Sequence, residues 1–276
     1  MKRFTTLAAF ALVSALFVAI PASADTFSFS TGSPDGRIGT LSRPAGNAGI
    51  QTETADDFIL SSETVLTHAT FFGLIPTGVP LSSINQVEIE FYHVFPADSG
   101  PFDGKVPTRN NSPADVEIGS ATRDSAAGSL KFTPSLQTPT FSVANTVING
   151  INGSTPFTGG EGAASGQEVL ITVDFTTPVD LAADHYFFRP EVQLTNGNFL
   201  WLSAGGPPLF TGDLQTWIRN DNLAPDWLRV GTDITHQGPF NAAFSLTGQT
   251  VVPEPGSLAL LGSGLVALVP LRRRSA

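Results

Sequence analysis

Polar and apolar residues alternate from Ile84 to Phe95. Val87, Ile89, Phe91 and Phe95 fall on one side, Glu88, Glu90 and Tyr92 on the other. Successive side chains of a strand point to opposite faces, so a period of two predicts a half-buried strand. Val169, Ile171, Val173 and Phe175 repeat the pattern against Thr172 and Asp174. Val65 to Ile75, Thr140 to Ile148 and Ala242 to Leu246 are rich in β-branched and aromatic residues, which suit a pleated surface. No stretch between residues 25 and 250 carries a helical stripe. The pattern predicts an all-β body, a single jelly-roll-like β-sandwich over residues 25–250.

Turn residues divide these segments. Asn196-Gly197 lies between Tyr186 to Thr195 and Phe199 to Ser203, and Asn-Gly supplies the positive φ angles of a tight hairpin. Pro96 to Pro113, and the glycine-rich stretch that starts at Asn149-Gly150 and Asn152-Gly153 and runs to Gly166, mark two long connections. Thr26 to Gly32 and Ala243 to Gly248 both alternate Phe or Leu with Ser or Thr. Domain termini often lie close together, so the first and last strands are expected to be neighbours.

Composition narrows the chemistry. The chain has 276 residues and no Cys, which excludes a disulfide framework, thiolate zinc sites and a thiol nucleophile. Of 24 acids and 14 bases, 23 acids and 9 bases fall in residues 25–252, because Lys2, Arg3, Glu254 and Arg272 to Arg274 lie outside. A body with a net charge of −14 repels phosphate backbones, and nucleic acid is excluded as a partner.

Both ends read as labels. Basic Met1-Lys2-Arg3, an apolar run from Leu7 to Ile20 and Pro21-Ala22-Ser23-Ala24 form a secretory signal helix over residues 1–24. Ala22 and Ala24 fit signal peptidase, with cleavage before Asp25. At the other end, Val251-Val252-Pro253-Glu254-Pro255 precedes an uncharged run from Gly256 to Leu271 and then Arg272-Arg273-Arg274. Sixteen helical residues reach about 24 Å, and flanking side chains and local thinning absorb the mismatch to a core of about 30 Å. Residues 256–271 are therefore expected to be an apolar transmembrane helix in the inner membrane, with the three arginines in the cytoplasm and the body outside. Gly262-Ser263-Gly264-Leu265-Val266-Ala267 matches a dinucleotide fingerprint but lacks its preceding strand, and is small-residue helix composition.

Residues 251–276 resemble the PEP-CTERM sorting signal of exported bacterial proteins, in which a Pro-Glu-Pro motif, an apolar helix and a terminal arginine cluster follow in that order. The resemblance implies recognition by an exosortase, removal of the tail near Pro253-Glu254-Pro255, and a cell-surface or secreted location in an exopolysaccharide-producing bacterium. It covers the tail alone.

Within the body, His68, His93, His185 and His236 stand apart and form no local zinc or general-base motif. No Gly-x-Ser-x-Gly elbow is present. Of the paired carboxylates, Asp56 and Asp57 are expected to point oppositely on a strand, and Glu88 and Glu90 to share a solvated face. Asp221, Asp226 and Asp233, with Asp213 nearby, are the calcium candidates; they lack EF-hand spacing. Trp217 and Trp227 bracket Asn220 and Asn222, so that an exposed pair of rings beside amides would form a glycan platform. Core packing is the competing fate of such rings. The leading expectation is a non-enzymatic surface or extracellular-matrix protein without a cofactor. The alternative is a carbohydrate-binding module of the biofilm matrix with exopolysaccharide as partner, and a secreted hydrolase ranks last.

Overall fold

A computed structural model describes residues 25–46, 49–96, 105–205 and 214–251. The signal segment and the tail from residue 252, with its expected membrane helix, lie outside the described residues. Among those described, no helix is long and apolar enough to cross a membrane. The strands are β1 (Thr26–Ser30), β2 (Pro34–Leu41), β3 (Thr52–Leu60), β4 (Thr64–Ile75), β5 (Ile84–His93), β6 (Arg123–Asp124), β7 (Leu130–Val143), β8 (Asn145–Val147), β9 (Ala164–Leu181), β10 (Asp184–Leu194), β11 (Leu200–Ala204), β12 (Trp217–Asn220), β13 (Leu228–Arg229) and β14 (Phe244–Thr250). They form an all-β sandwich, whose strands outnumber the eight of a simple jelly roll.

One sheet has eight strands and is organised around β4, with β14 and then β11 along one edge and β9 along the other. β1 adds to β14, β2 and β8 continue from β11, and β7 adds to β9. The second sheet runs β13-β12-β3-β10-β5-β6. Phe58, Phe91 and Phe188 from the second sheet meet Phe71, Ile171, Trp201 and Phe244 from the first in one buried cluster. The Phe188 and Phe244 rings stack at 5.1 Å. The side-chain phase of β4 changes along its length. Leu66 points inward near the start and Ala69 and Phe71 further on, because the register shifts between Leu66 and His68 against both neighbours. One extra residue in a strand moves every later side chain to the other face.

The expected pairing of first and last strands holds: Phe27 faces Gly248 and Ser30 faces Ser245 in an antiparallel ladder. The Asp25 amide donates to Thr250 Oγ1, and the Thr250 amide to the Asp25 carbonyl. The hairpin at Asn196-Gly197 does not form. Gly197 does adopt φ 94°, but β5 pairs with β10 through Leu194, and on the other edge β3 pairs with Asp184 to Phe188 and Ser42 takes the Val192 amide. The chain therefore crosses to the other sheet, where β11 pairs with β2 and β4.

Gly73 lies under the Phe199 ring, where a Cβ would approach Phe199 Cε2 to 2.0 Å. Neither the ring, which is fully buried, nor the β4 backbone has space to yield. Gly73→Ala is expected to destabilise the body by about 1–3 kcal/mol through overpacking, measurable as a lower midpoint in urea with an unchanged slope.

Candidate functional site: an amide-lined cleft beside a buried charge network

Alternation on the second sheet sends Phe58, Phe91 and Phe188 to the inner core, and Glu53, Glu90, Tyr92 and Arg189 to the outer face. Glu88 and Glu90 do share a face, as expected, but only Glu88, 27% exposed, still reaches solvent there. Arg189 is 1% exposed and Glu90 9%, because Trp217, Trp227 and Leu214 pack over Tyr92 and Phe187. Charges arriving from four strands have to satisfy one another. Arg189 Nη2 lies 2.5 Å from Glu53 Oε1 and 3.2 Å from Glu90 Oε2, while Nη1 lies 3.1 Å from Glu191 and 3.4 Å from Glu88. Arg219 of β12 pairs with Glu53 from the other side and stacks 4.2 Å over the Trp227 ring. Tyr92 donates to Glu90 at 2.6 Å and accepts from Arg219 at 3.1 Å.

The two guanidiniums act unequally on the carboxylates. Burial raises Glu53, yet Arg189 and Arg219 overcome it and hold the carboxyl at about 2. Glu90 and Glu191 each face one guanidinium, Arg189, with a further hydrogen bond from Tyr92 and from Gln51 respectively. Burial dominates there and pushes each up to about 7. Asp56 and Asp57 point to opposite faces as expected, and both are buried. Asp56 sits between the sheets, where Oδ2 accepts the Ala242 amide at 2.6 Å. Burial, and then the neighbouring Asp57, raise it well above the carboxylate range. Asp57 lies on the outer face with His185 Nε2 at 2.9 Å, and burial raises it too.

The glycan platform expected at Trp217 and Trp227 is absent. Trp217 is 0% and Trp227 1% exposed, since both rings roof the outer face and cannot meet a ligand. Nor do the calcium candidates converge. Asp226 pairs with Arg109 at 2.9 Å, Asp233 pairs with Arg229 at 2.6 Å, and Asp221 accepts the Gln51 amide at 3.1 Å. Asp213 lies outside the described residues. No group of three potential metal ligands occurs among the described residues.

Asn220 and Asn222 do meet a surface feature. Together with Leu223 they form one wall of a cleft of about 380 Å³. Arg43, Ile50 and Thr52, from the approach to β3, form a second wall, and Ile148 to Gly153, following β8, a third. Local hydrogen bonds shape the walls. The Glu161 carboxylate accepts the amides of Ile148, Asn149 and Gly150 at 2.7–2.9 Å. Asn220 Oδ1 caps the amides of Asn222 and Leu223. At Gly153 a Cβ would meet the Lys105 carbonyl at 2.1 Å, so only glycine permits that approach. Asn149-Gly150 and Asn152-Gly153 mark this wall in the sequence as a connection, with nothing to show that it folds against β12.

The body is thus a β-sandwich that buries a charge network on the outer face of one sheet and carries a cleft lined by amides. Its identity as an export substrate rests on the tail. Residues 251–274 match the family model of the PEP-CTERM protein-sorting motif, which supports an exported protein that an exosortase sorts. The match includes Pro253, Glu254, Pro255 and Arg272 to Arg274 and leaves the sandwich outside it. No curated protein matches the chain.

Proposed function

We propose that this protein is a non-enzymatic component of the cell surface or extracellular matrix, delivered in two cuts. Signal peptidase removes residues 1–24 after Ala22-Ser23-Ala24. The helix at 256–271 then holds the chain in the inner membrane until an exosortase acts near Pro253-Glu254-Pro255. Exopolysaccharide is the proposed partner outside the cell. The sorting motif at residues 251–274 carries this reading. Two features of the body support a binding role over a catalytic one. The cleft lining contains no carboxylate and no imidazole, so it holds no general acid or base. Glu90 and Glu191, whose pKa values are raised to about 7, instead lie against the buried Arg189 guanidinium.

Replacing Pro253-Glu254-Pro255 by three alanines is expected to leave export intact while trapping an unprocessed, full-length form in the membrane fraction. Immunoblotting of fractions and mass spectrometry of the mature C-terminus check this. Normal release of the variant would overturn the sorting role.

A further inference from the structure

We propose that the cleft between Asn222, Ile50 and Asn149 is a binding site for a neutral, hydroxyl-rich ligand, a short stretch of glycan. The inference rests on the reading of the body as a binding protein and is independent of how the tail is processed. The cleft volume of about 380 Å³ falls in the range of small-ligand sites, about 300–1,000 Å³. Asn149, Asn152 and Asn222 are all exposed. No hydrogen bond among the described residues occupies the side-chain amides of Asn149 and Asn222. A primary amide presents donors and an acceptor in one plane, which suits adjacent hydroxyls that both give and take a proton.

Other ligand classes fit less well. A cation would need carboxylates, and the lining has none. An anion would find only Arg43, whose Nη1 already donates to Asn198 at 2.6 Å, within a body of net charge −14 that opposes its approach. An extended peptide binds by adding to a free strand edge. Here Thr52 of β3 pairs with Asn220 of β12 on one side and with Arg43 on the other, so β3 offers the cleft no free edge. Ile50, 41% exposed, supplies the apolar contact for the C–H face of a sugar ring. The walls are fixed before a ligand arrives, because Glu161 anchors the backbone on which Asn149 stands and Asn220 caps the turn that carries Asn222. Preorganised donors lose little freedom on binding.

The test uses the full chain in a detergent without a sugar headgroup. The probes are an array of neutral oligosaccharides, an oligomeric polyuronate and an unstructured peptide, read by saturation-transfer NMR and calorimetry. Binding of at least one neutral oligosaccharide is expected. In the Asn149→Ala/Asn222→Ala double variant its affinity should fall roughly tenfold, as loss of two hydrogen bonds implies, with unchanged thermal unfolding. The proposal is overturned if no neutral oligosaccharide binds, if only the polyuronate or the peptide binds, or if the double variant binds as the parent does. The processing assay above reports on sorting separately, so the failure of either reading is distinguishable from that of the other.

Discussion

Arg189→Leu is expected to destabilise the body by about 3–5 kcal/mol, the usual cost of removing one partner from a buried ionic cluster. Arg189 is 1% exposed and touches Glu53, Glu88, Glu90 and Glu191. Leucine replaces the bulk of its stem but not the charge, leaving four carboxylates around an apolar side chain. Glu53 keeps Arg219; Glu191 keeps only the Gln51 side-chain amide at 2.9 Å. At about 2–4 °C per kcal/mol for a domain of this size, the melting temperature should fall by roughly 6–20 °C in calorimetry. Lowering the pH to 5 should restore part of the loss, because Glu90 and Glu191 then take up protons. Arg37→Leu, at an exposed position, should change stability by less than about 0.5 kcal/mol. An Arg189→Leu protein within 1 kcal/mol of the parent would mean that Glu53, Glu90 and Glu191 reach water, contrary to their burial.

The reach of sequence reasoning can be judged on β5. Alternation identified the strand and sent Val87, Ile89 and Phe91 inward and Glu88, Glu90 and Tyr92 outward, as found, because that assignment needs only the local period; Phe95 lies past the end of the strand, under Arg109. It left open what lies over the outer face. Glu88 and Glu90 look solvated in a one-strand view, but Arg189 stands 101 residues from Glu88 and Arg219 127 residues from Tyr92, and no local period encodes such separations. Trp217 and Trp227 show the same limit. Two rings flanking amides and acids describe a sugar platform and a roof equally well, and only the position of β12 beside β3 decides that they roof the sheet. A signal was nevertheless present: Arg189 sits in the β10 run Tyr186-Phe187-Phe188-Arg189-Pro190-Glu191-Val192, where a charged residue among aromatics requires buried partners. The Asn-Gly turn failed for a topological reason, since its geometry was local but the free edge it needed was occupied. The sorting motif of the tail was legible, because a sorting label must be read as linear sequence and its three parts stand in order. The cleft was half legible: Asn220 and Asn222 stood out by composition, while Asn149 and Ile50 join them only through the fold.

The charge network also sets an unusual dependence of stability on pH. Glu90 and Glu191 titrate at about 7 in the folded chain, against an ordinary value of 4.5. The folded protein therefore binds more protons than the unfolded chain between these limits. This stabilisation is fully present below about pH 4.5 and is lost as the pH rises through about 7. Asp56 and Asp57, raised mainly by burial, act in the same direction. Glu53, held at about 2, acts in the opposite one. Its contribution is present above about pH 4.5 and disappears as the pH falls toward 2. Together these place the stability maximum on the acid side, below about pH 4.5 and so below the usual optimum of about pH 5–8. Between pH 4.5 and 7.5 the loss from Glu90 and Glu191 is on the order of 5 kcal/mol, equivalent to a melting temperature roughly 10–20 °C lower. Calorimetry across that interval at constant ionic strength measures the slope. A Glu90→Gln/Glu191→Gln variant should flatten it, since neutral amides fill the same space without gaining a charge. A melting temperature that stays level or climbs between pH 4.5 and 7.5 would show that Arg189 satisfies both carboxylates as charged groups, and that the cluster holds its full negative charge in the folded state.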